Sequence, residues 1–194
     1  MDKELARLRK MGTWELTEDM PEGRVPIGNQ WVFTKKKDEH GNTIWYKVQL
    51  VAQGFSQKPG TDYSNNGTFV PIMWFESLRT AFGMAAINRW NMCQMDVKTV
   101  YLNGYLKEEI YMLQPTGFDN GTGRVCHLKH SLYSLKQAGN VWNKAWNQAM
   151  EELGYKKLKS DYCCFIQREG EDFSILLVWV DHLINFSNDM DRVK

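Results

Sequence analysis

Leu176-Leu177-Val178-Trp179-Val180-Asp181-His182-Leu183-Ile184 is an apolar run broken once, by one carboxylate and one imidazole. β-formers on both sides of a two-residue polar break predict a tight hairpin whose tip carries Asp181. A charge set among apolar residues persists where it is paired or functional. Cys93-Gln94-Met95-Asp96-Val97 has the same character, with a lone carboxylate near the end of a short apolar strand. Two carboxylates on neighbouring strand ends can share divalent cations, and these two stand 85 residues apart in the chain. The meaning of His182 then decides what the pair can do.

A chain of 194 residues suffices for one domain with a real core, or for two small interleaved subdomains. An aromatic fraction of 13%, including 8 Trp, argues against disorder. Net charge is +1, so the chain as a whole carries no polyanion-binding signal. The charge is uneven, however. Residues 24–58 hold six Lys or Arg against two Asp or Glu, and residues 124–159 hold seven against two. Two such zones track a polyanion or are simply solvated faces, and charge alone does not choose.

Cys93, Cys126, Cys163 and Cys164 form no Cys-x-x-Cys pair and have no His at zinc-finger spacing, which predicts four reduced thiols. Cys163 and Cys164 are expected on opposite faces of a strand. Met1-Asp2-Lys3-Glu4-Leu5 lacks the apolar core of a signal peptide. No apolar run approaches the ~20 residues that span a bilayer. The expectation is an intracellular protein, in a cytoplasmic particle or the nucleus, with no membrane partner. On that expectation the glycosylation patterns at Asn66 and Asn120 are chance matches.

Along the chain, the spacing predicts a helix from Lys3 to Met11, ended by Gly12, and a strand at Thr13–Leu16. A hairpin follows, with arms 30–35 and 43–52 around Asp38-Glu39-His40-Gly41-Asn42. Helices are predicted from Ser77, as cap, to Asn88 and from Leu135 to Leu153. Tyr101–Glu109 reads as helical or turn-like. Strands are expected at Met92–Val97, Ile110–Leu113, Val125–Leu128, Ser160–Arg168 and Phe173–Val180. This order implies an α+β fold, with two helices packed on one face of a mainly antiparallel sheet.

The motifs, taken together, carry a resemblance. Gly12-Thr13-Trp14-Glu15-Leu16, Gly28-Asn29-Gln30-Trp31-Val32-Phe33 and Tyr46-Lys47-Val48-Gln49-Leu50-Val51-Ala52-Gln53-Gly54-Phe55 come first. Gln94-Met95-Asp96-Val97-Lys98-Thr99-Val100-Tyr101-Leu102-Asn103-Gly104 follows, then Ser131-Leu132-Tyr133-Ser134-Leu135-Lys136-Gln137-Ala138 and Trp179-Val180-Asp181-His182. In this order and spacing the chain resembles the reverse transcriptase domain of copia-type long-terminal-repeat retrotransposons over nearly its whole length.

The resemblance implies the fingers and palm of a right-hand polymerase, fingers-like over 13–75 and mostly palm over 76–194. Thumb and ribonuclease H segments are expected to be missing. It implies RNA-directed DNA synthesis by two-metal nucleotidyl transfer with Mg²⁺ or Mn²⁺, on a primed RNA or DNA template with deoxynucleoside triphosphates. Asp96, Asp181 and the residue at 182 would hold the ions, helped by the Val97 backbone carbonyl. Tyr101 would press on the incoming sugar. Tyr133 and Lys136 would line the nucleotide and template pocket, and Lys35, Lys47 and the residue at 49 would approach triphosphate or template.

Four positions depart from the family pattern. His182 stands where the family has a second Asp, and neutral imidazole brings no negative charge to a Mg²⁺ site. Gln49 replaces an Arg and loses its charged fork. Ser134 replaces a Gly, which costs if the backbone there has positive φ. Gly139-Asn140 replaces Pro-Arg at the start of the long helix. The expectation is a polymerase impaired by His182 and Gln49; the alternative is a non-catalytic nucleic-acid-binding remnant of a degenerate element.

Overall fold

The computed structural model describes residues 1–193. Its elements run α1 (Asp2–Lys10), β1 (Trp14–Thr17), β2 (Asn29–Lys37), β3 (Thr43–Ala52), α2 (Phe75–Asn88), β4 (Asn91–Asp96) and β5 (Tyr105–Met112). They continue with β6 (Val125–His130), α3 (Ala138–Glu152), β7 (Lys156–Lys157), β8 (Cys164–Glu169), β9 (Asp172–Trp179) and β10 (His182–Ser187). All pairings between these strands are antiparallel, which makes the fold α+β as the sequence implies. Three sheets form rather than one: β1-β6-β5, β2-β3 and β4-β10-β9-β8-β7. No helix among the described residues is long and apolar enough to cross a membrane.

The chain divides into two units, each discontinuous in sequence. The first comprises Met1–Phe69 and Tyr101–Trp142. Leu8 of α1, Ile27, Leu50 of β3, Met112 of β5, Leu128 of β6 and Leu132 form its core, all at most 2% exposed. The β2–β3 hairpin closes through Asp38, whose carboxylate accepts the N–H groups of Asn42 and His40 while Gly41 takes φ +83°. The Asn42 bond leads in holding the Asp38 carboxyl below its ordinary value. Tyr105–Glu109 is strand, not helix or turn. Only a 3₁₀ turn at Val100–Asn103 precedes it, and the β5–β6 register shifts between Tyr105 and Ile110.

The second unit comprises Val70–Val100 and the chain from Asn143 onward. Paired residues of antiparallel strands share a face. Phe82, Phe75 and Trp90 meet Phe186, Trp179 and Phe173 edge-on, at 5.3, 5.6 and 4.6 Å between ring centroids, which sets α2 on one face of the five-stranded sheet. Trp146 of α3 meets Phe165, the partner of Leu176, and the Tyr155 hydroxyl bonds Ser174 at 2.8 Å. Those residues alternate with Phe173 and Ile175 along β9, so α3 covers the opposite face. Two helices on one face is therefore corrected: one helix per face gives each side of the sheet its own apolar cover.

α2 also begins earlier than a Ser77 cap predicts, with Trp74 as N-cap. The Trp74 N–H donates to buried Asp161 at 3.0 Å, and the Cys163 N–H donates to the same carboxylate at 2.9 Å. Burial raises the Asp161 pKa, but these two bonds, with side-chain hydrogen bonds from Ser77 and Cys164, prevail and leave it below its ordinary value. The four cysteines are free. Cys163 and Cys164 do not divide between faces; Cys163 precedes β8, and both are buried in one cluster with Leu177 and Phe186. Burial pushes their thiols up to about 11 and about 12.

Candidate metal centre

The β9–β10 hairpin turns at Val180–Asp181, because Trp179 pairs with His182. Val180, a β-branched residue, has φ +57°, a conformation that glycine usually supplies in a two-residue hairpin turn. The two-residue polar break predicts Asp181-His182 at the tip; the turn lies one residue earlier, and His182 opens β10. That shift sets the site, since β10 also pairs with β4 and brings His182 directly opposite Asp96. The Val97 N–H donates to the Asp181 carbonyl at 2.8 Å and clips the turn to the end of β4.

Three side chains so converge from positions 85 residues apart. His182 Nδ1 stands 3.4 Å from Asp96 Oδ1, and His182 Nε2 stands 3.6 Å from Asp181 Oδ1. The side chains of Asp96, Asp181 and His182 are 65%, 42% and 56% exposed, so solutes reach all three. One ligand atom from each lies within 4.8 Å of the others, the single such His/Cys/Asp/Glu group among the described residues. The donor set fits one divalent ion. A pair of Mg²⁺ ions about 3.5–4 Å apart is a poorer fit, because oxygen-rich coordination is wanted and the third group here is an imidazole lying between the carboxylates.

The remaining candidates fall in the first unit. Tyr101 and Tyr133 form an edge-to-face pair at 5.1 Å, and the Tyr133 carbonyl accepts the Ala52 N–H at 3.0 Å. The Lys136 side chain is exposed while its N–H donates to Gln57 Oε1 at 2.8 Å. Gln57 in turn donates to Gln137 at 3.1 Å, and Gln137 donates to the Asp62 carbonyl at 2.8 Å. This buried amide chain orders the backbone at Tyr133–Lys136 and has no signature in hydrophobic pattern. On β2–β3, Lys35 pairs with Tyr46 and lies 5.9 Å from its ring, whereas Lys47 and Gln49 share the opposite face. Lys47 also acts electrostatically on buried Glu4 of α1.

Two departures acquire a physical meaning. Ser134 has φ +69°, so a residue with a Cβ holds a left-handed conformation that glycine adopts without cost. A Cβ added to nearby Gly54 would collide with the Ser134 carbonyl oxygen. Gly139 and Asn140 lie in the first turn of α3, and Asn140 Nδ2 donates to the Phe69 carbonyl at 2.7 Å.

Comparison with known proteins agrees with the motif order. A family model described as reverse transcriptase (RNA-dependent DNA polymerase) matches residues 11–194. The chain is 40% identical over 192 residues to the retrovirus-related Pol polyprotein from transposon TNT 1-94 of Nicotiana tabacum, covering 97% of this chain and 14% of that protein. It is 35% identical over 179 residues to the corresponding polyprotein from transposon RE1 of Arabidopsis thaliana, 91% of this chain and 12% of the relative. Similarity extends, at 29% identity over 198 residues, to the transposon Ty1-LR2 Gag-Pol polyprotein of Saccharomyces cerevisiae, covering 99% of this chain and 10% of that protein. The chain thus spans about a seventh or less of the curated relatives it matches. It belongs to the reverse transcriptase (RNA-dependent DNA polymerase) family, in the branch carried by the Pol polyproteins of copia-type retrotransposons.

Proposed function

We propose that this chain is the fingers-and-palm part of an RNA-directed DNA polymerase whose nucleotidyl transfer is strongly impaired, with 13–75 fingers-like and 76–194 mostly palm. The observation that carries the reading is the convergence of Asp96 and Asp181 at one sheet end, with His182 between them. Asp96 and Asp181 bind the divalent ion, and the Val97 carbonyl assists. The ion, when bound, supplies positive charge to phosphate oxygens and to the attacking and leaving oxygens.

Tyr101, held by Tyr133, packs against the incoming deoxyribose. Lys136 and Lys47 neutralise triphosphate or template phosphates, and Lys35 contacts the template. Gln49 donates hydrogen bonds without the charge of an arginine. Template–primer and deoxynucleoside triphosphates are the proposed partners, in an intracellular setting.

The impairment follows from charge. Replacing a ligand carboxylate by imidazole removes several kcal/mol of charge stabilisation, or about a thousandfold in rate at about 1.36 kcal/mol per tenfold. Primer extension with Mg²⁺ or Mn²⁺ tests this on the unmodified chain, His182→Asp and His182→Asp/Gln49→Arg. Extension should rise at least about a thousandfold in the series. Robust incorporation by the unmodified chain sinks the impaired reading.

A second reading rests on the β2–β3 hairpin. Phe33, Trp45 and Tyr46 are more than half exposed there, beside Lys35, Lys36 and Lys37. Aromatic and cationic side chains so interleaved suit single-stranded nucleic acid. Salt-dependent binding to primer–template, with no incorporation by any variant, selects that reading.

A further inference from the structure

We propose that Asp96, Asp181 and His182 form a site for a single borderline transition-metal ion, such as Co²⁺ or Zn²⁺, which binds there in preference to Mg²⁺. The inference rests on the reading of Asp96 and Asp181 as ion ligands and specifies which ion this chain selects.

Spacing is the first support. Bonds of about 2.0–2.2 Å place two ligand atoms of a tetrahedral ion about 3.4 Å apart. His182 Nδ1 stands 3.4 Å from Asp96 Oδ1, the separation of two ligands on one ion, and one ligand atom from each of the three residues lies within 4.8 Å of the others, so side-chain rotation brings Asp181 to the same ion. The ring's orientation is the second support. One nitrogen faces each carboxylate. Either ring nitrogen can therefore ligate beside a carboxylate, and imidazole is a borderline donor that a carboxylate-only site lacks.

The scaffold is the third support. Asp96 and His182 face each other across a strand pair, and the Val97–Asp181 bond fixes the turn. Strand-borne ligands keep their geometry better than loop-borne ones. Ligand chemistry then selects the ion. Mg²⁺ takes an oxygen octahedron and dehydrates reluctantly, whereas imidazole suits the later first-row ions. The exposure of all three side chains leaves room for water in the open positions.

Isothermal titration calorimetry of the full chain with ZnCl₂ and MgCl₂ tests the proposal, with Co²⁺ absorption and Trp fluorescence as a second readout. Trp179 is the strand partner of His182, so Co²⁺ bound there quenches it. The expected result is one ion per chain, with Zn²⁺ bound at least about a hundredfold more tightly than Mg²⁺. His182→Asp should lower Zn²⁺ affinity at least about tenfold and raise that for Mg²⁺. Asp96→Asn, with an unchanged circular dichroism spectrum, should abolish the quenching. Two tight ions per chain, Mg²⁺ bound as tightly as Zn²⁺, or Zn²⁺ binding unaffected by both substitutions overturns the proposal. Primer extension by the same His182→Asp sample separates the two readings. Extension there without transition-metal preference in the unmodified chain refutes only the ion selectivity, and selectivity without extension refutes only the polymerase reading.

Discussion

Two hairpins of this chain share a local grammar and have opposite settings. β2–β3 is a two-stranded sheet whose outer half faces solvent, with Phe33, Ile44 and Tyr46 each 63–67% exposed. Only its base is anchored, through Leu50 and Ala52. β9–β10 lies within a five-stranded sheet, and Leu177, Leu183 and Phe186 are at most 6% exposed. A hairpin buried along its arms can hold charged groups at a fixed separation at its tip. A hairpin free along its arms presents side chains to a partner instead. The same alternation thus gives a rigid, buried hairpin in one place and a solvent-exposed one in the other.

The largest expected effect tests that contrast. Phe186 is fully buried and meets Phe82 edge-on, so Phe186→Ala should destabilise by about 3–5 kcal/mol. Phe33→Ala, at 65% exposure, should change stability by no more than about 0.5 kcal/mol. Urea unfolding followed by circular dichroism compares the two. Similar losses in both variants would mean that the β2–β3 hairpin is covered in solution and the contrast is false.

The turns differ in the same sense, with a smaller effect. Gly41 takes φ +83° at the β2–β3 loop, whereas Val180 takes φ +57° at the β9–β10 turn. A left-handed conformation costs an ordinary residue about 1–2 kcal/mol, and the extra chain entropy of glycine offsets about 0.5–1 of it. Val180→Gly should therefore stabilise by about 0.5–1 kcal/mol, while Gly41→Ala should destabilise by about 1 kcal/mol. Opposite signs in a thermal unfolding series sharpen the comparison. A destabilising Val180→Gly would show that Val180 packing outweighs backbone strain and that the β9–β10 turn is unstrained.

These turns also show what a sequence reveals. Leu176–Ile184 reads as a hairpin because apolar runs flank a polar break, yet the turn is one residue earlier than the break suggests. Nothing local favours valine at positive φ. Pairing with β4 selects that register, because it buries Leu183 and Phe186 and leaves His182 opposite Asp96. Lys107-Glu108-Glu109 has no apolar alternation, and becomes strand within β5, which pairs with β6. The placement of α2 and α3 on opposite faces has no local signal either, since each helix carries apolar residues that either face of the sheet would cover. Asp96 and Asp181 stand out in the sequence because a carboxylate in an apolar strand demands a reason. Gln57, Gln137 and Asp161 do not, because a buried polar residue looks like a surface one until its partners are known.

The smallest effect concerns how each hairpin is held. Apolar contacts, which do not titrate, bury the arms of the β9–β10 hairpin. Glu4 of α1 is 6% exposed, and Lys47 of β3 acts on it electrostatically. Burial raises the Glu4 pKa; Arg7, Lys47 and the amino terminus oppose this without cancelling it. A raised carboxyl contributes stability below its ordinary value near 4.5, and that contribution is lost as pH rises through the folded value. Glutamine stays neutral throughout. Glu4→Gln should match the unmodified chain at pH 4 and be more stable at pH 7 by less than about 1 kcal/mol, since its 3.3 Å pair with exposed Arg7 is worth little. Urea midpoints at the two pH values measure this. A Glu4→Gln chain less stable at pH 7 would mean that attraction to Arg7 and Lys47 exceeds the cost of burial, and that an ion pair steadies the α1–β3 contact.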